Sequence, residues 1–208
     1  AATMMGSTLK GKDDSITVKI NGGGPCGTVL AVSDSDGNVR GCIGKADISL
    51  PLNKKGKLDV AGAVGKNGFV TVIKDLGLKE PYIGKTPIVS GEIAEDITSY
   101  YAVSEQIPTV CALGVLTEHD SGEIICAGGF MIQLLPTADD TIIERVEEST
   151  KDLPPVTKML SDGMTPEEIC KKALSKFNLQ LLDETNTAYR CTCSRERVEK
   201  ALIATGKS

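Results

Sequence analysis

The sequence predicts an α+β fold: an antiparallel-rich sheet core with helices packed against it, followed by a helical linker and a short cysteine-bearing end. Three observations carry this expectation. Apolar residues alternate with polar ones in several short runs of the first two-thirds. Tight-turn sequences separate those runs. From Asp139 onward the pattern changes to charged helix, which places boundaries at 1–138 for the core, 139–188 for the linker and 189–208 for the last part.

Ile16, Val18 and Ile20 alternate with polar residues and predict a half-buried strand. NGGGP at 21–25 turns the chain, and Thr28, Leu30 and Val32 begin the return strand of a hairpin. Asp36-Gly37 is a tight-turn pair, after which VRGCIG forms a third strand. LPLNKKGKL at 50–58 reads as a polar loop, and the β-branched GFVTVIKDL at 68–76 as the clearest strand. Residues 90–108 predict a helix: Ser90 can cap it, Glu92, Glu95 and Asp96 suit the positive end of its dipole, and Pro108 stops it. Ile93, Ile97 and Tyr101 give that helix its apolar stripe. TVCALGVL and EIICAGGFMIQLLP read as strands around a turn at His119, and the sheet domain closes near Pro136.

Beyond it, Ile142, Ile143 and Val146 line one face of an acidic helix broken by Pro154-Pro155. MTPEEICKKAL contains a capping box, with Thr165 as cap and Glu168 three residues on. This stretch reads as a linker arm more than a second core. FNLQLL and TAYRCTC suggest short strands, and SRERVEKALIATG a last helix ending at Gly206.

Hydrophobic residues at 40% and charged ones at 25% describe an ordinary folded chain, and 3% aromatics leave the core to aliphatic side chains. A formal net charge of −5 argues against nucleic-acid binding, because it offers no general attraction to phosphate. No apolar run has the length of a membrane span, and no secretory signal opens the chain, so a cytoplasmic setting is expected. Both ends are expected to lie inside a longer sequence.

Nucleotide binding is not supported. GGGPCG lacks the Lys-Ser/Thr of a phosphate loop, and GKT at 84–86 lacks the required earlier glycine, so both read as turns. The single histidine, His119, would have to carry any Ser-His-Asp or Cys-His system alone. Glu92, Glu95, Asp96 and Glu105 read as solvated acids of one helix, with Glu105 on a polar edge, rather than an acid/base pair. No enzyme activity is therefore expected.

Of seven cysteines, Cys26, Cys42, Cys111, Cys126 and Cys170 sit singly and read as buried small hydrophobes. Cys191 and Cys193 form a C-x-C pair. In an extended segment, residues two apart point to one side, so both sulfurs can meet one object, a metal ion or other thiols. Arg190, Arg195 and Arg197 surround the pair and should favour thiolate, which aids metal binding and oxidation alike. A structural zinc site wants four such ligands, and only two are local.

The stretches INGGGPCGTVLAVSDSDGNVRG, GFVTVIKDLG, SGEIAEDITSYYAVSEQIPT, AGGFMIQLLP and RCTCSRERVEKAL make the chain resemble the redox-regulated chaperones of the 33-kilodalton heat-shock protein family. They follow the family's order over essentially the whole chain, and SEQIP, AGGF…QLLP and CTCSRER are the most specific. The resemblance implies an α+β core, a helical linker and a truncated zinc-binding module. It implies that Cys191 and Cys193 are the first two zinc ligands and the redox-active pair, with a later C-x-x-C pair expected beyond Ser208. The implied activity is ATP-independent holding of unfolded or misfolded proteins under oxidative stress, switched by loss of zinc from the thiolates. A homodimer is left open. With half the ligands present, this chain is expected to bind zinc weakly and to hold client without peroxide. The alternatives are a zinc-binding structural or interaction module without chaperone activity, and a small-molecule enzyme using the glycine-rich sheet edge.

Overall fold

A computed structural model describes residues 1–54, 56–118 and 121–206. The turn expected at His119 lies outside the described residues. Antiparallel strands β1 (Ser15–Asn21), β2 (Val29–Asp34), β3 (Val39–Ile43), β4 (Phe69–Asp75) and β5 (Tyr82–Pro87) form a sheet in the order β3-β2-β1-β4-β5. The central strand owes its place to its alternation. Ile16, Val18 and Ile20 are all buried, and Val18 and Ile20 stand directly opposite Val72 and Val70 of β4. These cross-strand aliphatic pairs are what a sheet with few aromatics must use.

One face of this sheet packs against α1 (Ala2–Gly6) through Ala2 and Met5, and against α3 (Ile93–Tyr100) through Ile97 and Tyr100. The NGGGP turn forms as expected and lies against α2 (Val60–Val64), with Gly24 N–H donating to Val64 C=O at 2.9 Å. The approach is close enough that a Cβ on Gly22 would lie 2.2 Å from the Gly65 carbonyl oxygen.

Several expectations need correction. Residues 84–86 do not turn but lie within β5, where Gly84 faces Tyr100 so closely that a Cβ would come within 2.8 Å of the ring. The helix predicted from Ser90 begins at Ile93; the Ser90 hydroxyl instead accepts from Glu92 N–H at 3.1 Å. Asp96 is not solvated. It is fully buried, and its Oδ1 accepts from the Val89 and Ser90 amides at 2.8 and 3.1 Å. Glu105 is likewise held inward, accepting the Tyr100 hydroxyl and pairing with Lys74 at 2.9 Å.

After α3 the chain widens into a π-helical turn, Tyr101–Glu105, and Gln106 takes the left-handed conformation at φ 57°. Ile107 N–H then bonds to Tyr101 C=O, and Pro108, which has no N–H, ends the element.

β6 (Thr109–Thr117) and β7 (Ile124–Gln133) pair as a separate antiparallel ribbon. The region expected as a linker arm is folded onto this ribbon. It contains α4 (Asp140–Lys151), α5 (Val156–Ser161) and α6 (Pro166–Ala173), and the α6 capping box forms as predicted. Phe130 of β7, Val156 and Met159 of α5, and Ile169 and Ala173 of α6 make a second apolar cluster. A ribbon cannot stabilise itself alone, and α5 and α6 give it a buried face while α4 packs on α6. FNLQLL forms no strand, and the TAYRCTC segment contributes only one bridge residue, Tyr189. The last helix, α7, runs over Arg195–Ala204, capped by Ser194 accepting from Arg197 N–H at 3.2 Å. Among the described residues no helix is long and apolar enough to cross a membrane.

Candidate redox site on the edge of the sheet

The C-x-C pair is brought to the core by backbone hydrogen bonds. Val39 N–H donates to Ala188 C=O and Arg190 N–H to Val39 C=O, both at 2.9 Å, so Tyr189 lies parallel beside Val39 on the outer edge of β3. The Tyr189 hydroxyl continues the pairing. It donates to Gly41 C=O at 3.0 Å and accepts from Gly41 N–H at 3.4 Å. Little burial accompanies these bonds, since every described residue from 180 to 206 is exposed.

Cys191 and Cys193 follow at once, both exposed and both free thiols. Their side chains share a hydrogen bond, which makes the pair unequal. Cys191 is pulled below the usual thiol range first by that bond, then by a backbone hydrogen bond at Cys193, with Arg40 and Arg197 adding positive charge. Cys193 is pushed up by the same bond and by the developing charge on Cys191. The balance therefore favours thiolate at Cys191 over Cys193. Arg197 acts as the sequence suggests. Arg195 instead pairs with Glu199 at 2.8 Å, and Arg190 is not among the groups acting on either thiol. The cation that sequence reasoning missed is Arg40, more than a hundred residues away, because the β3 edge contact alone brings it near.

The other cysteines do not behave as one class. Cys26 is buried as expected, Cys111 and Cys126 are half-buried, and Cys42 and Cys170 are exposed. For a metal, Cys191 and Cys193 offer two soft donors on one side. No group of three or more Cys, His, Asp or Glu among the described residues could hold an ion. The pair thus fits half of a tetrahedral thiolate site. Asp96 of α3 and Glu105 of the π-helical turn serve the backbone and neighbouring side chains.

Compared with known proteins, all of residues 1–208 match the family model described as Hsp33 protein. The chain belongs to the Hsp33 family. Among Hsp33 relatives, a 33 kDa chaperonin of Clostridioides difficile (strain 630) is 50% identical over 207 residues, covering 100% of this chain and 70% of that protein. A 33 kDa chaperonin of Clostridium botulinum (strain Alaska E43 / Type E3) is 49% identical with the same coverage. The crystal structure of a 33 kDa chaperonin (heat shock protein 33 homolog) from Thermotoga maritima superposes with a TM-score of 0.87 at 37% identity, covering 98% of this chain and 68% of that one. The helix-and-antiparallel-sheet architecture is thus that of an Hsp33 structure.

Proposed function

We propose that this chain acts as an ATP-independent holdase chaperone whose affinity for unfolding proteins is set by the oxidation state of Cys191 and Cys193. The observation that carries the reading is the unequal thiol pair, exposed and held at the sheet edge within an Hsp33 chain. The Cys191 thiolate attacks one oxygen of hydrogen peroxide, giving a sulfenic acid as the O–O bond breaks; the other oxygen leaves as hydroxide and becomes water by taking up a proton equivalent to the one the Cys191 thiol released. Cys193 sulfur then displaces hydroxide from the sulfenic acid, which takes a proton and leaves as a second water. Two thiols are oxidised to one disulfide and the peroxide is reduced to two waters.

Zinc, where bound, would take both thiolates as two of its four ligands and hold them reduced. Exposed apolar side chains near this end, Leu181, Leu182, Leu202 and Ile203, are suited to contact with unfolded chains. No catalytic turnover is assigned; the chain binds and releases.

The test is light scattering of a thermally unfolding client protein without ATP. The chain should suppress the scattering, and failure to do so in both reduced and peroxide-treated form overturns the holdase reading. Mass spectrometry of the peptide carrying both cysteines should show a Cys191–Cys193 disulfide after peroxide. If the two remain free thiols while activity changes, the switch lies elsewhere.

A further inference from the structure

We propose that the outer edge of β3 is a strand-addition site for extended segments of unfolded protein, and that residues 188–190 occupy it as a built-in competitor. The identity of the partner rests on the holdase reading; the site itself rests on the geometry of the edge.

β3 is the terminal strand of the five-stranded sheet, so one row of its backbone groups points away from β2. Inward pairing is made by the even positions, as Asp34 N–H to Asn38 C=O and Gly44 N–H to Thr28 C=O show. Val39, Gly41 and Ile43 therefore face outward. Such a row is a template for another strand, and here it already takes one: the chain's own residues 188–190 add in parallel through Val39.

The competitor is a poor one. Its only bridge residue is Tyr189, and at Gly41 the next peptide is replaced by a phenol hydroxyl. Tyr189 is 73% exposed, and its flanking residues are exposed as well, so the segment is held by a few hydrogen bonds and buries little. Segments of this kind open at low cost. An unfolded chain offers what this segment does not: a continuous run of unpaired peptide groups that can bond to Val39, Gly41 and Ile43 in turn. Strand addition works through main-chain bonds, so it discriminates unfolded from folded partners without reading a sequence. Ile43, exposed at the end of β3, adds an apolar contact.

The experiment uses the full chain and a permanently unfolded probe, reduced and carboxymethylated α-lactalbumin, with affinity read by fluorescence anisotropy. Tyr189→Phe removes the hydroxyl clamp and keeps the ring, so the probe should bind about 2- to 10-fold more tightly, the value of one or two net hydrogen bonds. Ile43→Pro removes an outward N–H of this edge strand that residues 188–190 do not use, at a position where proline is tolerated, and should weaken probe binding at least about fivefold. Amide exchange on the unmutated chain gives a readout that does not depend on either variant folding: the Arg190 amide, bonded to Val39 C=O, should exchange faster when probe is present.

If the wild-type chain fails to bind the probe at all, the holdase reading falls and this site with it. Wild-type binding that is unaltered in both variants, with no change at Arg190, overturns the strand-addition site alone. A probe-independent dimer lost in Ile43→Pro also overturns it, by assigning the edge to a second copy of the chain.

Discussion

Removing the Asp96 carboxylate should destabilise the core by a predictable amount, although the residue lies far from the thiol pair. Asp96 is fully buried, and a single oxygen, Oδ1, accepts from both the Val89 and Ser90 amides at 2.8 and 3.1 Å. Its Oδ2 has no partner among the described residues. Asp96→Ala deletes two hydrogen bonds and strands two amides, and each orphaned donor costs about 1–3 kcal/mol. Two effects reduce the total. Val89 is itself exposed, so water can reach part of the gap, and a buried carboxylate oxygen without a partner is removed. A net loss of about 1.5–3 kcal/mol follows, which for a chain of this size lowers Tm by about 3–12 °C. Asp96→Asn keeps one oxygen to accept both amides but puts an unpaired NH2 where Oδ2 was, so it should fall between wild type and Ala. Urea unfolding followed by circular dichroism gives the three stabilities. An Ala variant within about 0.5 kcal/mol of wild type, or an Asn variant weaker than Ala, would refute the assignment of Asp96 as the tie between α3 and the turn before it.

Three further outcomes are expected. Sub-stoichiometric iodoacetamide at neutral pH should label Cys191 ahead of Cys193, because Cys191 is shifted towards thiolate; Cys193→Ala should slow that labelling, and a mass map showing Cys193 labelled first would contradict it. Stability should decline in alkali starting near pH 9. Burial pushes the Cys111 thiol up from 9.0 to about 11 and the Tyr101 phenol from 10.0 to about 12, so the folded state favours both protonated forms. That contribution is complete below pH 9 and is lost as pH rises through 11 and then 12; Cys111→Ala should flatten the earlier part of a Tm-against-pH curve. Met159→Ala, at a site 1% exposed in the second apolar cluster, should cost about 2–4 kcal/mol. Hydrogen exchange should then quicken in α5 and α6 while β1 and β4 keep their protection, and uniform loss across both regions would show that the two clusters unfold together.

Much of the architecture was legible because it depends on neighbours in sequence. Period-two alternation marked β1 and β2, Asp36-Gly37 marked the turn before β3, and the Thr165–Glu168 box marked the start of α6, since each is a relation among residues a few positions apart. Even α5 carried a readable signal, with Val156, Met159 and Leu160 spaced for one helical face after Pro155. The misreadings at Gly84, Asp96 and Glu105 share another cause: their local sequence is that of a turn or a wet helix start, and packing against Tyr100, Val89 and Lys74 overrode it.

By itself the sequence determined β1 to β4, β6, β7, the helices α3, α4, α6 and α7, the family, and the C-x-C pair as the place to look for redox chemistry. Only the tertiary structure decided that the helical arm lies folded on β6 and β7, and that the thiol pair sits beside Arg40 at an open sheet edge. Backbone pairing between segments some 150 residues apart leaves no periodic trace in either one, because hydrogen bonds at a strand edge use peptide groups that every residue has.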